Sequence, residues 1–176
     1  TAQMASLGTA QLVAINPQTL AGLGSGQLAA LRTAQVSALT TAQLQALDTA
    51  DLRALGSTNL RAFSTTQLEA LSGEQLAGLT TGQVAALTPE QIGSLGTADL
   101  GAFNPTALRA MSAEQFDAVT PAQRGALPTS LIVLFSPAQI ASMTTEDLAA
   151  FTTTQIAVFT PAQVAALTTL QVASLD

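Results

Sequence analysis

The sequence predicts an all-α solenoid built from very short helices, one for each of about 22 eight-residue repeats, with a β-solenoid as the competing architecture. Three observations carry this. Every eighth residue from Leu7 to Leu175 is apolar, and 22 octads account for all 176 residues without an insertion or deletion. Six of the seven prolines (Pro17, Pro89, Pro105, Pro121, Pro137, Pro161) fall at the first position of an octad. The residue before that position is usually Thr, Ser, Asp, Asn or Gly, and Gln recurs two residues after it.

Within one octad the preferences spell out the start of an α-helix. A Thr, Ser, Asp or Asn at position eight is a good N-cap, because its side-chain oxygen accepts from a free N–H of the first turn. Proline beside it occupies the first helical residue, where its missing N–H costs nothing. Gln at position three completes a capping box, as in Thr88-Pro89-Glu90-Gln91 and Ser136-Pro137-Ala138-Gln139. The apolar residues at positions seven and four form a hydrophobic staple across the cap, as Leu87 and Ile92 would. Position six is Ala, Gly or Ser in 20 octads, small enough for neighbouring backbones to approach closely.

The next cap arrives after eight residues, so each helix spans about five to seven residues, too few to persist without packing. About three helices per coil are expected, giving a rod on the order of 70 Å; two per coil would give roughly 100 Å. A β-solenoid would favour β-branched inward residues and period-two alternation, whereas Leu and Ala dominate here with apolar spacings of three and five. The whole of 1–176 reads as one continuous array, irregular around 121–136.

The irregularity centres on Thr129-Ser130-Leu131-Ile132-Val133-Leu134-Phe135, which lacks the position-three amide and the small position six. The octad before it places Arg124 where a core residue belongs. Local repacking is the expectation. The functional alternative is a lateral interface through Arg124, Leu131, Val133 and Leu134. Arg124 is expected to snorkel to solvent, the other option being burial against Glu114 or Asp117.

Composition removes several function classes. The net charge of −6, no Lys and five scattered Arg argue against a nucleic-acid partner. The longest apolar run near the irregularity, Leu131 to Phe135, is far short of a bilayer span, so no transmembrane segment is expected. There is no His, Cys, Lys or Tyr, which withholds the usual general bases and most nucleophiles. An enzyme is not expected, nor a cofactor or metal. The acids, Glu146-Asp147 among them, fit helix starts better than a calcium loop.

Units such as Leu39-Thr40-Thr41-Ala42-Gln43-Leu44-Gln45-Ala46 and Phe159-Thr160-Pro161-Ala162-Gln163-Val164-Ala165-Ala166 resemble the LTTAQ-x-x-A octapeptide arrays of very large bacterial surface and secreted proteins. Those proteins are often labelled adhesins or haem-utilisation proteins. The resemblance covers nearly the whole chain, weakens across Pro121 to Phe135, and implies an extracellular stalk or fibre. It carries over no binding residues. Haem has no His, Cys or Tyr to ligate it here, and Met4, Met111 and Met143 stand in the core register.

The expected function is therefore a non-catalytic structural module, a stalk or self-assembling fibre. The alternative is a binding scaffold whose repeated outer face, with Thr at positions one and eight, recognises ice, a polysaccharide or another cell-surface ligand. Thr1 to Gly8 and Thr169 to Asp176 read as ordinary octads without polar caps. The expectation is either a longer array or end-to-end self-association.

Overall fold

Eight residues suffice for one and a half helical turns and a corner, and that is how the backbone uses each octad. The computed structural model describes residues 2–175. Among them it holds 21 helical segments, from Ala2–Ser6 to Thr169–Ala173, and no strand. All but one span four to six residues. A typical unit is Thr41–Ala46: Thr40 Oγ1 accepts from the Gln43 N–H at 3.2 Å, and Gln43 Oε1 accepts from the Thr40 N–H at 3.0 Å. After the helix, Leu47 and Asp48 are extended and make the corner.

Proline begins the helices at Pro17, Pro89, Pro105, Pro121, Pro137 and Pro161, as its fixed φ favours. Where the cap residue has no accepting side chain, half the box survives. Gly8, Gly24 and Arg32 still donate their N–H to Gln11, Gln27 and Gln35 at 2.8, 3.0 and 2.7 Å.

Positions four and seven supply a single core running from Met4 to Phe151, with partly buried residues extending it to both ends. The staple partners Leu87 and Ile92 are both buried in it, as are Met111 and Met143. In the irregular unit the bulk goes inward. Phe135 packs edge-on against Phe116 at 4.7 Å between ring centres, while Ile132 and Leu131 are buried.

The structure has the expected three helices per coil. Helices stack on the helix three octads later, as Pro17–Ala21 does on Thr41–Ala46. A position-three amide therefore lies over the start of the helix three octads back and reaches the end of the helix before that one, as Gln43 does to Leu12 and Ile15. With about 9 Å between stacked helices, about seven coils make a rod of about 65 Å, close to the expected length.

The exception in length is Thr49–Arg61, thirteen residues in which two octad helices join at Gly56. Gly56 has φ 77° and ψ 169°, the one residue with positive φ among those described. An added Cβ there meets nothing within 4 Å, so the constraint is backbone strain alone. Gly82, inside the helix Thr81–Ala86, also faces open space but has helical φ. Opposite shifts are expected in urea denaturation: Gly56→Ala loses about 1 kcal/mol, whereas Gly82→Ala gains about 0.5 to 1 kcal/mol.

Candidate functional site

A corner two residues long leaves the position-seven carbonyl extended and without a helical partner, once per octad, beside an apolar core. An unpaired buried carbonyl costs about 1–3 kcal/mol, so a repeat that made one per unit would not stand. The structure meets this with the position-three amide. Its Oε1 stays on the cap of its own helix, and its Nε2 crosses to the coil below.

Gln43 shows the pattern: Nε2 donates to Leu12 O at 2.9 Å and to the corner carbonyl of Ile15 at 2.8 Å. Gln75 repeats it on Leu44 and Leu47 at 2.9 and 2.7 Å. Gln115 does so on Val84 and Leu87, and Gln163 on Ile132 and Phe135. Twelve glutamines from Gln35 to Gln171 are buried in this role, none more than 5% exposed. The capping box anticipated half of this side chain's work. The crossing bond was missed, and the signal for it was that Gln, not the equally good acceptor Glu, fills position three.

A second set of bonds ties coils in the other direction. Position-five donors reach a position-six carbonyl in the following coil: Gln45 to Ala70, Arg53 to Gly78, Arg61 to Ala86 and Arg109 to Leu134, at 2.6 to 3.4 Å. Three of the five arginines that look scattered in the sequence thus share one structural position.

Octads lacking the Gln show what replaces it. Asn59 is shorter and reaches only the corner carbonyl of Leu31, at 3.0 Å. Ala107 has no amide at all, and the cap residue Asn104 takes over, donating Nδ2 at 3.0 Å to Leu79 O, the corner carbonyl that Ala107 leaves unserved. Asp51 is buried and can only accept. Its oxygen takes the Asp48 N–H, and nothing from it donates to the coil below. Burial pushes its carboxyl up; the Asp48 N–H partly opposes this and the Asp48 charge adds to it.

Arg124 overturns its expectation. It does not snorkel: it is 1% exposed and ion-paired with Asp147, not Glu114, with Asp117 close enough to act on its charge. The reason lies with its partner in the adjoining coil. Asp147 occupies a position-three site and cannot donate to Phe116 O, the carbonyl that a glutamine there would serve. Arg124 Nη2 supplies that bond at 2.9 Å, and Nη1 donates to the Asp147 carboxylate. The guanidinium also lies 5.7 Å from the centre of the Phe116 ring. Burial pushes the Arg124 guanidinium down, and Asp147 and Asp117 hold it up. Of the four residues considered for a lateral interface, Arg124 and Leu131 are buried and Leu134 is partly buried against the core, leaving Val133 exposed at 38%.

These geometries set two expected outcomes. Arg124→Leu strands Asp147 beside the core and costs about 3 kcal/mol, while the double change Arg124→Leu with Asp147→Gln returns to within about 1 kcal/mol of the starting chain, the difference being their coupling energy in denaturation curves. For Asp51 the folded-state pKa lies above the unfolded one, so its contribution is fully present below the unfolded pKa and is lost as pH rises through the folded value. Asp51→Gln, which also restores a donor towards Leu20 and Leu23, is expected to stabilise the chain more at pH 7 than at pH 3 in urea titrations.

No curated protein matches the chain. The family model described as the ALTTAQ repeat matches residues 13–49, 44–81, 70–97, 92–129 and 140–176. The stretch left between the last two matches falls in the irregular unit that carries Leu131 to Phe135. Repeat, cap, crossing amide and family model agree along most of the sequence, and the chain belongs to the ALTTAQ repeat family.

Proposed function

We propose that the chain is a non-catalytic structural module, a stalk or fibre element of a bacterial surface or secreted protein that associates end to end. The observation that carries this reading is the crossing-amide ladder, which ties each coil to the next in one register along the rod. A chain held this way grows by repetition, its length being set by the number of octads.

Other features support it. The buried polar side chains are occupied with backbone carbonyls and caps, leaving few convergent groups for a substrate. Surface grooves lie between stacked helices, one of them lined by Leu148, Phe151, Ile156 and Leu175. Likeness to LTTAQ arrays supports an extracellular setting, with the rod as a stalk holding other domains away from a surface. The alternative of a threonine face for ice or polysaccharide is less well supported. The hydroxyls of Thr40, Thr80, Thr88, Thr120 and Thr160 are engaged as helix caps.

Negative-stain electron microscopy over a concentration series tests the reading. Filaments of uniform width that lengthen with concentration are the expected outcome. Compact particles without an axis, or a thermal-hysteresis effect on ice growth, would displace it.

A further inference from the structure

We infer that copies of this chain pack side by side, the acid-free flank of one rod against the acidic flank of the next, parallel and coil against coil. The contact uses the flanks of the rod and stands independently of end-to-end growth.

With three octads to a coil, the helices form three columns along the rod. One column passes through Thr33–Ser37, Thr81–Ala86 and Pro105–Arg109, and holds the second octad and every third one after it. The next passes through Thr41–Ala46, Thr65–Glu69, Pro89–Ser94 and Ala113–Asp117. The sequence sorts charge between them. None of the 11 acidic residues falls in an octad of the first column, whose charges are Arg61 and Arg109. The second column carries Asp48, Glu69, Glu90, Glu114 and Asp117 and no Arg. Both signs share the third column, where Arg124 meets Asp147. Helix caps and helix dipoles ask the same of every column, so they do not account for the sorting.

The spacings match as well as the signs. Arg61 and Arg109 both stand at position five, two coils apart, and Glu69 and Asp117 stand at position five one octad after each. All four are exposed, and among the described residues the one ion pair is Arg124 with Asp147. Asp117 acts on the charge of Arg124 without pairing to it. The two arginines are each held in place by a bond to the following coil, Arg61 Nη1 to Ala86 O at 3.4 Å and Arg109 Nε to Leu134 O at 3.1 Å. Their other guanidinium N–H groups remain for a carboxylate.

Laid coil on coil, Arg61 faces Glu69 of the neighbouring copy and Arg109 faces its Asp117. Ala85 and Gly93, the position-five residues of the coil between, are small enough for the rods to come close. The flanking position-five residues give the direction. In a parallel pair exposed Val133 meets Ala141, and Ser37 meets Gln45. An antiparallel pair keeps the charges matched but sets Val133 on Gln45. Charge complementarity of this kind selects the partner and the register. The occupant of the acid-free flank is therefore a second copy of this chain. Each copy carries both halves, so the contact repeats from rod to rod.

Sedimentation velocity of the full chain over a concentration series reads the contact, at about 0.1 M salt so that net charge is screened beyond about 10 Å. The native chain is expected to form multimers, seen in negative stain as rods lying side by side. Arg61→Glu with Arg109→Glu is expected to weaken them at least about a hundredfold, and so is Glu69→Arg with Asp117→Arg. An equal mixture of the two variants makes every contact between unlike copies attractive again and is expected to regain the multimers. Native chain that stays as single rods or single-file filaments overturns the lateral contact and leaves end-to-end growth untouched. Reversal variants that associate like the native chain overturn it too, as does a mixture that regains nothing although both variants keep the native circular dichroism. Direction is read by disulfide trapping, which is clean because the chain has no Cys. Mixed single-cysteine chains, Val133→Cys with Ala141→Cys, are expected to cross-link on oxidation; trapping by Val133→Cys with Gln45→Cys instead overturns the parallel register.

Discussion

One side chain holds this architecture up. A helix of five or six residues has more unpaired backbone groups at its ends than bonds in its middle, and a run of such helices joined by two-residue corners multiplies the deficit. Gln at position three addresses both ends at once. Its oxygen satisfies the start of its own helix, and its nitrogen satisfies the corner of the coil below, as Gln75 does for Ser72 and then for Leu44 and Leu47. Glu would serve the first task and fail the second; Asn serves the second in part, as Asn59 shows. The rest of the structure depends on this double use. The core can be simple Leu and Ala because the polar accounting is done beside it.

Once a coil is tied to the coil below by side chains that cross between them, a change in one octad is felt three or four octads away. The irregular positions bear this out. Ala107 removes a donor, and Asn104 provides one from the neighbouring cap. Asp147 removes a donor, and Arg124 enters the core to provide it while cancelling the new charge. Gly56 turns the backbone at Leu55, and Gln83 keeps its bond to Leu52 with no counterpart to Leu55. The unit of substitution is thus a site with its partner in the adjoining coil, which is why Arg124 read alone looks misplaced.

That separation also marks what was legible in the sequence. Helix starts, caps, the inward positions and the small sixth residue follow from local chemistry within a single octad, and each stands where the period puts it. The coil of three is legible too, because a corner as short as Leu47-Asp48 cannot reverse the chain fully. The fate of Arg124 was hidden because it is decided outside its own octad. Snorkelling is the sound inference for an Arg judged against its own helix, and the partner that reverses it, Asp147, belongs to the next coil. Gln was half read because capping already accounted for its recurrence, and a sufficient local explanation concealed the long-range one.

A rod made this way has a mechanical character that follows from its bonds. Pulling along the axis would load the amide ladder and the position-five donors together, since Gln75 ties its octad to the coil before it and Arg53 ties its own to the coil after. Each coil carries several such ties, the amide bonds among them buried from competing water, so separation at one coil must break them together.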